Sequence, residues 1–310
     1  MQSDFIRHNV FPTLAAFIWG IAFVAQSVAA ESVQAFTFNA ARSAVAFLFL
    51  LMLCVCIRSW RQHKDDIIPS GSAYRKDLLL GGVCCGLALA TATYLQQKGL
   101  ETTTAGKAGF ITALYIVLVP VCGLFLHKKV RGLVWLSVAL AVCGLYFLCI
   151  NGGFTISSGD FMVLLCAFCF TGHILLIDYF TVRVDGIQLS CAQFFVMMLF
   201  SSVGMLLTET PSWETLLPAM GSILYVGILS SGVAYTLQIL AQKGSNPTTV
   251  SLLLSLEAVF ATLAGAIILH DHMTGREYFG CIMMFAAVML AQLPAKSKSE
   301  KLVLTAKSEL

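Results

Sequence analysis

The sequence predicts an all-α integral membrane protein: ten transmembrane helices arranged as a 5+5 inverted-topology repeat, with N- and C-termini cytoplasmic. Three observations carry this. Hydrophobic residues make up 58% of the 310 and charged residues only 11%, about half the charge of an ordinary soluble chain. Ten apolar stretches follow one another almost end to end, each close to the roughly 20 residues that a bilayer core demands. Lys and Arg gather in alternate loops.

The stretches fall near 11–30, 34–57, 77–97, 104–126, 132–150, 159–179, 187–207, 215–240, 247–269 and 276–294. A soluble helix would carry a polar stripe; these show none, and nearly all hold Gly, Ala or Ser, which let membrane helices approach closely. The first follows Arg7 and ends in Ser27-Val28-Ala29-Ala30, which imitates a signal cleavage site. It is kept as a span because Trp19-Gly20 lies inside it and its loss would break the repeat. The fourth contains Pro120, either a hinge or a tolerated bend. With the N-terminus inside, the inner loops and tail hold 15 Lys and Arg and the outer loops 3, namely Lys98, Lys107 and Arg276; Arg42 lies within a span. That asymmetry is a positive-inside signal and places both termini in the cytoplasm. Residues 1–10 are then a cytoplasmic N-terminus and 295–310 a Lys/Ser-rich tail expected to be disordered. The eleven cysteines fit small apolar core residues, with no zinc spacing.

The chain also repeats itself. Gln97-Lys98-Gly99, followed by Thr103-Thr104, returns as Gln242-Lys243-Gly244, followed by Thr248-Thr249. Ala16-Phe17-Ile18-Trp19 returns as Ala167-Phe168-Cys169-Phe170, and at that same offset Arg42 faces Gln193. Leu126-His127 returns as Leu269-His270. Residues 11–150 and 151–294 are thus two five-helix halves. Five is odd, so the second half enters the membrane from the other side, the arrangement typical of secondary transporters.

With these residues in view, the chain resembles bacterial permeases of the EamA family in the drug/metabolite transporter superfamily. The resemblance covers roughly 11–294. It rests on Ala16 to Gly20 with Phe23-Val24, on Asn39-Ala40-Ala41-Arg42, on Gln96 to Leu100, and on Lys107 to Thr112 followed by Tyr115 to Pro120. In the second half it rests on Ala241-Gln242-Lys243 and Ser255 to Phe260. It implies a ten-helix fold with a central cavity lined by both halves. The chain departs from the family pattern at Ala258, where Pro is common, and at His270-Asp271, where an acidic residue often ends the helix. The family moves amino acids, nucleosides, drugs or other metabolites, so the resemblance leaves the substrate open.

A charge within hydrocarbon costs at least ~2.5 kcal/mol on insertion scales, so each deep polar residue needs a reason. Glu257 lies about ten residues into the ninth span, roughly 15 Å deep at 1.5 Å per residue. It is either a cavity carboxylate that holds a proton or a substrate amine, or a structural carboxyl between helices. Arg42 either snorkels or serves the cavity by pairing with Glu257 or a substrate carboxylate. His173 is a proton relay or a packing residue bonded to a carbonyl. Gln193 and Gln238, with Gln26 and Gln96, offer amides to a zwitterion, whereas Gln97 and Gln242 near loops fit helix glue. Trp19, Tyr94, Tyr115 and Phe170 either line a cavity or simply pack.

The sequence holds no Walker-type loop, no His-Glu-x-x-His and no Gly-x-Ser-x-Gly. We therefore expect no enzyme, no catalytic residues, no metal, no cofactor, and no nucleotide or nucleic-acid partner. The expected function is secondary transport, outward by the resemblance, of a small organic metabolite such as an amino acid, across a cell (cytoplasmic) membrane in which the chain is multi-pass. Protons are the candidate coupling ion. Multidrug or cation efflux is the alternative, and a membrane enzyme or passive channel the unlike class. Single cysteines at Lys64 and at Asn151, in a cysteine-free background, should label from opposite faces with an impermeant maleimide. Labelling of both from one face would remove the ten-span topology and the inverted repeat together.

Overall fold

In hydrocarbon a backbone must satisfy its own polar groups, which leaves helices as the open choice. The computed structural model describes residues 2–63, 71–127, 130–149, 157–268 and 273–293. Among them there is no strand. The helices are α1 (Ile6–Ala30), α2 (Ala35–His63), α3 (Ser72–Leu100), α4 (Ala105–Phe125), α5 (Gly132–Cys149), α6 (Ser158–Phe180), α7 (Gly186–Thr208), α8 (Met220–Gln242), α9 (Pro247–Ile268) and α10 (Gly275–Gln292). By length and composition, α1 to α4 and α6 to α9 are long and apolar enough to cross a membrane, which makes eight among the described residues. Two of the ten expected spans fall short of that measure. α5 is apolar but shorter, and α10 opens on Arg276-Glu277 and closes on Gln292, which dilutes its apolar run. Lys64, Asn151, His270-Asp271 and the tail from 295 lie outside the described residues.

The polar side chains within the helices are turned inward, into a core that also holds apolar residues such as Phe38, Leu89 and Phe194, and the outer surface is apolar. Gln26, Asn39, Arg42, Gln97, His173, Gln193, Gln242 and Glu257 are all buried, while Leu48, Met52, Leu79, Phe125, Leu206 and Ile267 are exposed. An apolar outer surface with the polar groups kept inside suits lipid as the solvent.

Small residues decide which helices touch. Gly81 and Gly99 of α3 meet Phe180 and Val163 of α6, so these two run antiparallel. Gly82 and Gly86 meet Ala192 and Val196 of α7, so α3 and α7 run parallel. Gly227 and Gly232 of α8 meet Val45 and Phe49 of α2, again parallel. α1 and α8 are antiparallel, since Arg7 donates to the Leu240 carbonyl (2.6 Å) and Tyr225 to that of Ile18 (3.1 Å). α2 and α7 are antiparallel and tied at both ends. The Glu209 carboxylate accepts from the backbone N–H groups of Phe36 and Thr37, 2.8 and 2.7 Å, and so caps α2; Arg61 pairs with Asp185 at 3.2 Å at the other end. α5 packs along α10, with Gly144 against Gly280 and Met283, and α4 packs on α9.

Two helices are interrupted. α4 consists of Ala105–Ala113 and Tyr115–Phe125, and α9 of Pro247–Leu254 and Glu257–Ile268. At the first break the N–H groups of Leu114 and Val117 reach back three residues, to Ile111 and Leu114. At the second, Leu256 does the same to Leu253, while the Ser251 and Ser255 hydroxyls bond the carbonyls of Thr248 and Leu252. Tightened turns and hydroxyls that compete for carbonyls are what loosen a helix there. Pro120 is not the site of the break: the helix runs through it to Phe125, and the interruption comes at Leu114. A proline removes one hydrogen bond, which bends a helix without having to end it. α8 widens into π-helical turns over Tyr225–Ala234.

Gly20 shows how tight the packing is. A Cβ there would lie 2.3 Å from the Phe260 Cβ and 2.7 Å from its carbonyl carbon. Gly20→Val should therefore cost about 1–3 kcal/mol by overpacking, seen as earlier thermal unfolding in detergent. Gly172→Ala, where the added carbon meets nothing within 4 Å, should leave the transition in place.

Candidate functional site

The interior polar residues converge on one cavity between the helices. α1 contributes Trp19, Phe23 and Gln26, α2 contributes Arg42, and α3 contributes Gln96. Thr112 and Tyr115 come from the two sides of the α4 break, and Leu254 and Glu257 from the two sides of the α9 break. α6 adds Phe170 and Ile174, and α8 adds Ser230, Tyr235 and Gln238. The free space is about 30 Å³, enough for a water or two and far below the roughly 300 Å³ of a small-molecule pocket. This conformation is contracted around its polar lining.

Two charges face this space without pairing. Arg42 is 2% exposed and donates through Nη1 to Gln26 Oε1 at 2.9 Å. Its Nε has no partner among the described residues. Glu257 is 4% exposed and accepts from the Tyr115 hydroxyl at 3.0 Å. No ion pair within 4.0 Å joins Arg42 to Glu257. Gln238 donates to Gln242 Oε1 at 3.2 Å, and its own Oε1 is buried without a partner. Gln96 donates to Thr112 at 3.2 Å. The Trp19 indole N–H reaches the Ser230 carbonyl at 3.3 Å, in the π-helical stretch of α8, and its ring lies 4.7 Å from that of Tyr235. The lining therefore offers a guanidinium, a carboxylate, free amide edges and aromatic faces. Such a set can hold a small polar molecule with an apolar part.

Of the residues singled out in the sequence, Trp19, Arg42, Tyr115, Gln238 and Glu257 lie together on this cavity, with Phe170 beside them. Tyr94, Gln193 and His173 are not in its lining. Tyr94 stacks on Phe36 at 4.0 Å. His173 and Gln193 are fully buried against each other between α6 and α7, with Nε2 and Oε1 3.0 Å apart, while His173 Nδ1 and Gln193 Nε2 have no partner among the described residues. Gln97 and Gln242 are staples: each donates to a carbonyl of the first helix of its own half, Gln26 at 3.1 Å and Ile174 at 3.0 Å.

Sequence reasoning missed Tyr235, Thr112, Phe23 and Ser230, which carry no deep-charge signal. It also missed that Tyr115 and Glu257 touch. A signal for that was present. Thr104 and Asn246 cap the two broken helices, and Tyr115 and Glu257 stand at the same distance beyond them, each the first helical residue after a break.

A model of the EamA-like transporter family matches residues 9–150 and again 157–293. A transporter of Archaeoglobus fulgidus is 31% identical over 281 residues, covering 90% of this chain and 84% of that protein. The threonine/homoserine exporter RhtA of Salmonella typhimurium is 24% identical over 253 residues, covering 81% of this chain and 80% of its own. A solved crystal structure superposes with a TM-score of 0.74 over 92% of this chain and 96% of the other at 16% identity, a likeness of fold.

If the two glutamine staples do the same work, Gln97→Ala and Gln242→Ala should each lower unfolding free energy by about 1 kcal/mol, read from denaturant titration in detergent. A loss at one position and none at the other would show that the two bonds are not equivalent.

Proposed function

Since the chain belongs to the EamA-like transporter family of the drug/metabolite transporter superfamily and is a multi-pass protein of the cell membrane, we propose that it is a secondary transporter exporting a small organic metabolite by alternating access. We read it as ten spans in two inverted halves, 11–150 and 151–294, with both termini cytoplasmic. The helix contacts support this. Exchanging α1–α5 with α6–α10 turns the antiparallel α1/α8 pair into α6/α3 and the parallel α2/α8 pair into α7/α3, while α2/α7, α4/α9 and α5/α10 return to themselves. The two stretches matched by the family model support the division into halves.

The observation that carries the reading is the buried polar cavity fed by both halves. Trp19 and Phe23 stand to Phe170 and Ile174 as the offset between Ala16 and Ala167 demands, and Thr112 and Tyr115 stand to Leu254 and Glu257 at equal distances from the helix caps Thr104 and Asn246. A pocket built of pseudo-equivalent positions is what two inverted halves need in order to open to either side in turn. Its contracted state requires the halves to part before a metabolite enters. The amino-acid class is favoured by the name of the Salmonella relative and by the presence of both an unpaired guanidinium and an unpaired carboxylate in the lining. Cation efflux is the second reading, favoured by Glu257 among Trp19, Tyr115 and Tyr235. We assign no catalytic role, metal or cofactor to the site.

The test compares metabolites exported by cells that overexpress the protein with those of deleted cells. An amino acid or related compound should accumulate outside only with the protein present. Arg42→Ala should cut export of carboxylate-bearing substrates about tenfold or more, the scale of a lost charge-assisted hydrogen bond. An equal loss for substrates without a carboxylate would assign Arg42 to packing and favour cation efflux.

A further inference from the structure

The two halves are fastened to each other at the end of the bundle read above as outer. Asp160, near the start of α6, is 3% exposed, and both of its carboxylate oxygens are engaged. Oδ1 accepts from the Thr103 hydroxyl at 2.6 Å; Oδ2 accepts from Lys107 Nζ at 2.5 Å and from the Ser157 backbone N–H at 2.7 Å. Thr103 and Lys107 stand at the start of α4, in the first half, and Asp160 belongs to the second. The backbones meet there as well. A Cβ on Gly159 would lie 2.6 Å from the Gly99 carbonyl oxygen and 2.4 Å from Thr102 Oγ1, so no side chain separates α3 from α6 at this end. The same three helices carry the cavity wall, through Gln96, Thr112 and Phe170. Thr112 is five residues beyond Lys107 and Phe170 ten beyond Asp160, roughly 8 and 15 Å along a helix axis.

The matching inner positions are built otherwise. At the offset that carries Ala16 onto Ala167, Asp160 corresponds to Asn9; counted from the caps Thr104 and Asn246, Thr103 and Lys107 correspond to Ser245 and Thr249. An amide stands in place of the carboxylate and a hydroxyl in place of the ammonium. Asn9 donates to the Phe5 carbonyl at 3.1 Å and Ser245 to that of Ala241 at 2.7 Å, each within its own half. Across the halves, Arg7 reaches the neutral Leu240 carbonyl. A Cβ on Gly244, which matches Gly99 in the Gln-Lys-Gly repeat, would meet nothing within 4 Å.

We propose that Thr103, Lys107 and Asp160 form a latch that holds the outer mouth of the cavity shut, and that its lack of a counterpart at the matching inner positions makes the outer-closed state the resting one. This rests on the alternating-access reading and its topology, and adds to them the control of one mouth. The reason is that water lies just beyond this end of the bundle. With the mouth closed, three donors replace the hydration of Asp160; with the halves parted, water replaces the donors, and neither state leaves a bare charge. Removing Lys107 leaves the carboxylate unpaired only where it is buried. The loss therefore falls on the closed state and shifts the population toward the open one.

The experiment reads the mouth without a substrate. Ser230→Cys, on the cavity wall, is placed in the full chain freed of its native cysteines. Its rate of modification by a small membrane-impermeant methanethiosulfonate is measured from each face of sided vesicles, with Thr112→Cys as a second reporter. The parent should react slowly from the outer face. Lys107→Met and Asp160→Asn, checked for unchanged gel-filtration profiles, should each raise the outer-face rate about tenfold or more, the scale of a broken buried ion pair. Lys107→Arg should keep it slow, and Thr103→Val, which removes one bond and no charge, should raise it less. A rise on both faces is general loosening of the bundle and overturns the latch. So does an outer-face rate unchanged in folded Lys107→Met and Asp160→Asn, or one as fast in the parent as in the variants. An exported metabolite together with unchanged labelling removes the latch and leaves the transporter reading standing. If the cell comparison finds no exported metabolite, the transporter reading falls and the latch with it.

Discussion

The absence of water in the bilayer core is the constraint on which the rest depends. Every buried donor and acceptor must find its partner within the protein. The helices answer it for the backbone. Many side chains answer it in part through pairs: Gln97 on the Gln26 carbonyl, Gln242 on that of Ile174, His173 on Gln193, Ser190 on Thr236 at 2.8 Å. The loops and helix ends follow the same rule. Asp160 begins α6, accepts from Thr103 at 2.6 Å and pairs with Lys107 at 2.5 Å, so a carboxylate near the start of one helix fastens the start of another.

The cavity too has groups that are left partly unanswered. The Nε of Arg42 and the Oε1 of Gln238 have no partner among the described residues, as is also true of groups away from the cavity such as the Asn39 amide and the Ser201 hydroxyl, and Glu257 accepts from Tyr115. Leaving such groups open costs stability. In the cavity a bound molecule can supply the missing partners.

The halves share a backbone plan and differ in chemistry. Arg42 and Gln193 stand at matching depth in α2 and α7, yet the first serves the cavity and the second is spent on His173. Thr112 corresponds to Leu254 and Tyr115 to Glu257. A duplicated frame permits equivalent motions in opposite directions. The differences within it make the two sides of the cavity chemically unequal.

Much of this was legible in the chain alone. Hydropathy is a property of each residue in turn, so helix positions followed from it directly, and the Lys/Arg asymmetry and the Gln-Lys-Gly repeat required no contacts. The depth of Glu257 and Arg42 marked them as residues needing a reason. What the sequence could not determine was helix rotation. Tyr94 and Tyr115 look alike on paper, but one stacks on Phe36 and the other reaches Glu257, because glycine contacts such as Gly20 on Phe260 and Gly227 on Val45 set which face of each helix turns inward. The breaks were hidden too. Leu114 sits in an apolar run and Ser255 in a Leu-rich one, and only the local contest between hydroxyls, tightened turns and the helix ladder decides that the backbone loosens there and not at Pro120. Composition fixes what must be buried; three-dimensional packing decides which buried groups satisfy one another and which are left facing a ligand.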